Sequence, residues 1–198
     1  SAEKVLQLDC DVGSIHSYAF NSDGMLVLTG QGTGNVRLWD LKTGRHKHGF
    51  KGYHKNSVTK VMFSPDQSYA LSCGSDATVR VWDVQTGNCI RVLNGHTSSV
   101  WSVTWSADQR YILSGSHDRT LRLWDAASGL CLRVFEGHSE GVGYITWQRD
   151  QRFIISASQD DTMRYWDIET GSCLRVFDGF RGAHVRWSAD QRRALSSY

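Results

Sequence analysis

Three sets of side chains in this sequence have the residue types of a nucleophilic triad: His54, Ser72 and Asp76; His96, Ser114 and Asp118; His138, Ser156 and Asp160. An imidazole between a hydroxyl and a carboxylate can draw the hydroxyl proton while the carboxylate fixes its tautomer, which is the chemistry of acyl transfer. The spacing speaks against that reading. Each set follows the previous one by 42 residues with identical internal intervals. A catalyst needs one such site, and three copies at a fixed period belong to the architecture.

Other residues with chemical potential give less. Gly30, Gly32 and Gly34 form a glycine-rich stretch that lies between two strand-like segments and opens no helix, so it reads as a turn and not as a phosphate cradle. His46 and His48 share one face of an extended segment, with His54 nearby; they read as a solvated face and not as a metal site. Cys89, Cys131 and Cys173 are also 42 residues apart, which puts them in successive repeats, beyond disulfide reach of one another. They are expected to be small apolar fillers. Arg37, Arg80, Arg122 and Arg164 recur in the same way and read as surface residues of the repeat. No cofactor and no metal is expected.

The elements that must position these residues are strands. The chain has 198 residues, one proline, 19 glycines and eight tryptophans, with turn-forming clusters at short intervals between runs of alternating apolar residues. With 22 Lys and Arg against 20 Asp and Glu, the formal charge is +2. No clustered basic stripe favours nucleic acid, and no apolar run is long enough to span a bilayer as a helix. The start lacks the apolar core of a signal peptide, and Ser1-Ala2 reads as a cloning scar or a cut site. A cytoplasmic setting is the expectation.

Trp39-Asp40, Trp82-Asp83, Trp124-Asp125 and Trp166-Asp167 mark the period. Gly95–Glu136 laid over Gly137–Asp178 matches at 22 of 42 positions without a gap. One copy reads as four short strands: Val100–Trp105, Tyr111–Ser114, Leu121–Trp124 and Cys131–Phe135. Four strands in 42 residues cannot bury both of their faces alone. They must stack on neighbouring copies, and a β-propeller results.

The Gly-His pairs Gly95-His96 and Gly137-His138, with their Trp-Asp endings, make the chain resemble the WD40 repeat family over nearly its whole length. The copies are uneven: Tyr53 precedes His54, Gly179-Phe180 replaces the next pair, and Cys10-Asp11 stands in the first copy. The resemblance implies an all-β propeller of four-stranded blades. It also implies that the false triads are structural tetrads completed by Trp82, Trp124 and Trp166, in which carboxylate, imidazole, hydroxyl and indole satisfy one another in turn. The first copy keeps only Thr29 and Trp39, with Thr33 where the aspartate belongs, and is expected to be the loosest.

Full blades are expected over residues 11–51, 54–94, 96–136 and 138–178, with partial-blade strands at 3–9 and 183–198. Rings of seven blades need about 290 residues at ~42 per blade. The chain is therefore expected to be part of a larger propeller, or a homo-oligomer completed through open blade ends. The function implied is that of a non-catalytic scaffold binding a protein or peptide, with no nucleic-acid or membrane partner. The alternative is an architectural segment that serves self-assembly. One position is expected to carry recognition. Val100 is matched in the other copies by Ile15, Val58 and Val142, all apolar, whereas Trp101 is matched by His16, Thr59 and Gly143, which share no chemistry. In this family that position lies on the innermost strand at the channel mouth. Trp101 is expected to be substantially exposed there.

Overall fold

The computed structural model describes residues 14–50, 52–179, 184–187 and 194–197; the expected outer strand over 3–9 lies outside them. All regular structure among these residues is strand. Blade 1 comprises β1 (Ile15–Phe20), β2 (Leu26–Gln31), β3 (Val36–Asp40) and β4 (Arg45–Gly49). Blade 2 comprises β5 (Val58–Phe63), β6 (Tyr69–Gly74), β7 (Val79–Asp83) and β8 (Cys89–Leu93). Blade 3 follows as β9 (Val100–Trp105), β10 (Tyr111–Ser116), β11 (Leu121–Asp125) and β12 (Cys131–Phe135). Blade 4 is β13 (Val142–Trp147), β14 (Phe153–Ser158), β15 (Thr162–Asp167) and β16 (Cys173–Asp178). A fifth sheet pairs β17 (His184–Trp187) with β18 (Ala194–Ser197). Within every sheet the strands pair antiparallel in chain order. Among the described residues the sheets form a partial propeller that does not close.

The core lies in the seams between blades. Leu28, Val36, Leu38 and Phe50 of blade 1 pack against Val58, Val61, Phe63 and Trp82 of blade 2, and equivalent residues fill the next two seams. The first strand of blades 2, 3 and 4 presses on the first two strands of the blade before it, so β1, β5, β9 and β13 form the inner wall of the arc. Small residues permit that approach. A Cβ at Gly30 would stand 2.5 Å from Val58, and one at Gly115 would stand 2.9 Å from Val142.

A bulge interrupts the pairing of each inner strand. Ile15 faces Gln31 and Ser17 faces Gly30, leaving His16 without an opposite number. Thr59, Trp101 and Gly143 are left over in the same way in blades 2, 3 and 4. An extra residue bends a strand locally and re-aims its side chain.

Candidate functional site

In blades 2 to 4 the triad-like residues meet in one network. In blade 3 His96 Nδ1–H donates to Asp118 at 2.7 Å, while Ser114 Oγ–H donates to His96 Nε2 at 2.8 Å and accepts the Trp124 indole N–H at 2.8 Å. His54, Ser72, Asp76 and Trp82 repeat the arrangement, as do His138, Ser156, Asp160 and Trp166, with every contact between 2.7 and 2.8 Å. The histidines and serines are buried. The hydroxyl is buried, its proton given to the imidazole and one lone pair to the indole, so it faces no surface that a substrate could reach.

The carboxylates do more than orient an imidazole. Asp118 also accepts from the Thr97 backbone N–H and from both the backbone N–H and the hydroxyl of Thr120. Burial alone would raise the Asp118 carboxyl, but these bonds outweigh it and hold it well below the ordinary carboxylate range, as they do for Asp76. Thr78, Thr120 and Thr162 are members that the sequence reading missed, although their 42-residue spacing was visible.

The periodic arginines are not simple surface residues. Arg80, Arg122 and Arg164 lie half-buried, their guanidinium groups 5.9 to 6.0 Å from the rings of Trp82, Trp124 and Trp166. This explains the glycine before His138. Gly137 has φ 144, and a Cβ there would meet Arg164 at 2.6 Å. Blade 1 lacks the carboxylate and the imidazole, retaining the Trp39 indole bond to Thr29 Oγ1 at 2.8 Å. Thr33 is exposed and bonded to Asn35.

Cys89 and Cys173 pack at the edges of the seam cores as small fillers, and Cys131 does not. Cys131 is exposed, and Cys89 and Cys173 are half-buried at the start of outer strands, each thiol directed to the carbonyl two residues on. His46 packs edge-on against Trp39, and His48 Nε2 bonds the Val84 carbonyl at 2.9 Å. No group of three or more potential metal ligands occurs among the described residues. No described helix could cross a membrane.

The four variable residues all sit at the bulges, with different fates. His16 is exposed and bridges Ser14 and Ser57, each at 2.7 Å. Thr59 is half-buried, its hydroxyl donating to the Val100 carbonyl, with the Cys73 carbonyl also within reach at 3.1 Å. Gly143 faces open space. Trp101 is half-buried rather than substantially exposed. Its ring stacks on His117 with centroids 4.7 Å apart and covers Gly141, where a Cβ would meet it at 2.8 Å. The residue that makes room for the indole is thus Gly141, and Gly143 plays no part.

The sequence matches the WD domain, G-beta repeat family over residues 3–40, 44–83, 87–125 and 129–167. The chain belongs to the WD40 family. Each matched unit ends on a third strand, and the second, third and fourth begin just before an outer one, so these WD40 units span two blades. Among curated relatives, the WD repeat-containing protein 91 homolog of Dictyostelium discoideum is 39% identical over 62 residues, 31% of this chain and 8% of the relative. Protein tipD of the same organism is 33% identical over 82 residues, 41% of this chain and 13% of its own length. WD repeat and SOCS box-containing protein 1 of Danio rerio is 32% identical over 83 residues, 41% of this chain and 19% of the relative. The chain covers less than a fifth of each of these relatives. None of the names denotes an enzyme, and WD40 repeats generally act as non-catalytic scaffolds for protein interaction.

Proposed function

We propose that this chain is a non-catalytic, cytoplasmic scaffold that binds a protein or peptide where the inner strands begin, with no nucleic-acid or membrane partner. The observation behind this reading is the repeated bulge. Four blades carry residues without shared chemistry at one structural position, and blade 3 fills it with an indole stacked on an imidazole. The Trp101–His117 face, with open space at Gly143, offers a partner an aromatic anchor and a neighbouring gap. All three histidine–serine–aspartate sets are spent on the tetrads, which supports a role without catalysis.

Partner retention by wild-type chain and by Trp101→Ala tests the reading. Trp101→Ala should weaken binding about tenfold or more without changing the unfolding midpoint by more than a few degrees. Unchanged binding would overturn it.

One observation favours assembly as a second role. Tyr18 and Phe20 on β1 are 66% and 56% exposed, whereas their counterparts Val61 and Phe63 are 2% and 9% exposed. An apolar inner strand in this state is suited to a further blade, whether from a longer chain or from a second copy. Sedimentation of wild type against Tyr18→Glu would show a loss of association if copies meet there.

A further inference from the structure

Directly after each bulge the inner strands carry Ser17, Lys60, Ser102 and Tyr144, another register row without shared chemistry. Lys60 is the one formally charged residue on β1, β5, β9 and β13. Its Nζ donates to Ser102 Oγ on the next blade at 3.3 Å and lies 5.6 Å from the Tyr144 ring centroid, two blades on. Neither neighbour neutralises it. No carboxylate reaches Lys60 within ion-pair distance among the described residues. Cys73 lies close by, but burial pushes its thiol up to about 11, so it stays neutral at pH 7.

An ammonium taken partly out of water without a counterion is unfavourable, and burial lowers the Lys60 pKa accordingly. The group has three N–H donors. Ser102 takes one, the Tyr144 face steadies the charge, and no other described acceptor takes the rest. The head is held between Ser102 and Tyr144, which is pre-organisation for an anion.

We propose that Lys60, positioned by Ser102 and Tyr144, binds a single carboxylate from an aspartate or glutamate side chain of the bound peptide. This rests on the inner-strand mouth being the peptide site and adds to it the charge of the ligand. A single ammonium suits a singly charged carboxylate. A phosphate group carries up to two charges and is usually met by several cations or an arginine fork, and no arginine lies on these four strands.

The test uses the whole chain and two fluorescently labelled, acetylated octapeptides, one alternating glutamate with glycine and one alternating glutamine with glycine. The glutamate peptide should bind wild type at least about tenfold tighter than the glutamine peptide, a gap of about 1.4 kcal/mol. Lys60→Met should erase that preference. Trp101→Ala should weaken both peptides alike and keep the preference, so loss of the mouth and loss of the carboxylate contact are distinguishable. Acylation of the Lys60 amine on wild type should be slowed by the glutamate peptide alone, a readout that does not need the variant to fold. No binding of either peptide, equal binding of the two, or a preference that survives Lys60→Met would each overturn the proposal. Displacement by inorganic phosphate at concentrations where acetate is inert would replace the carboxylate with a phosphate.

Discussion

Blades 1 and 3 share strand number, order, register and even the position of the bulge, yet they differ in how their loops are tied. In blade 3, Asp118 gathers the connection before β9, the turn after β10 and, through His96 and Ser114, the indole of Trp124 into one chain of hydrogen bonds. Among the described residues blade 1 keeps the last link only, Trp39 to Thr29. The strands therefore do not need the tetrad to form. Apolar alternation and the small residues at the seam suffice, because they bury one sheet against the next. The tetrad adds cooperation between loops that no strand pairing reaches, and the Trp–hydroxyl pair is the part that survives when the rest is gone.

The largest test of that difference is Asp118→Ala against Thr33→Ala. The first removes the acceptor of four donors and leaves a buried imidazole without its partner, a loss of about 3 kcal/mol. The second removes an exposed hydroxyl and should stay within about 0.5 kcal/mol. Urea unfolding measures both, and equal losses would show that the network is decorative.

A smaller, acid-dependent effect should separate blade 4 from blade 1. Burial lowers the pKa of His138 below its ordinary value, against the pull of Asp160. Burial would raise Asp160, but bonds from Thr162 and His138 bring it down to about 2. Both folded pKa values lie below the unfolded ones, so the unfolded chain binds more protons and stability falls as pH falls. The loss should begin below about 6.5 for the histidine and continue from about 4 to 2 for the carboxylate. The Trp166 indole N–H, corrected for intrinsic exchange, should lose protection over that range. The Trp39 indole, whose partner is a hydroxyl, should not follow. Parallel loss in both blades would place the acid sensitivity elsewhere.

The sequence made the strands and tetrads legible for the same reason: both depend on residue type at a fixed spacing. The expected strand Val100–Trp105 matches β9 from end to end, because its seam-facing positions tolerate only apolar side chains. The bulge left no such trace. His16, Thr59, Trp101 and Gly143 have in common only that nothing pairs with them, and a backbone irregularity of that kind has no composition. The exposure of Trp101 was overestimated because its cover, His117 and Gly141, comes from loops outside the strand being compared. Lys60 was open to the same position-by-position comparison that singled out Trp101. It was missed because a lysine reads as solvated until its surroundings are known.

The smallest effect concerns a second tie between blades. Gln67, Gln109 and Gln151 occupy the same turn in blades 2, 3 and 4 with φ of 65, 61 and 60, a region that favours glycine. Each reaches back to the blade before it: Gln67 to Ser22, Gln109 to Asp66, and Gln151 to the Ala107 backbone N–H at 2.7 Å. Blade 1 has Gly24 at that place, with φ 70 and nothing for a side chain to meet. Backbone strain of about 1 kcal/mol is thus accepted wherever the amide has a partner across the seam. Gln151→Ala keeps the strain and loses this bond together with the one that Gln151 Nε2 donates to the Gln148 carbonyl, so it should destabilise by about 1 kcal/mol or somewhat more. Gln151→Gly loses the same bonds but relieves the strain, and its net change should be within about 0.5 kcal/mol. The gap between the two variants measures the strain, and the alanine variant alone measures the side-chain amide's two bonds, one of them the tie across the seam. If alanine proves as harmless as glycine, the glutamine repeats for a reason other than joining blades.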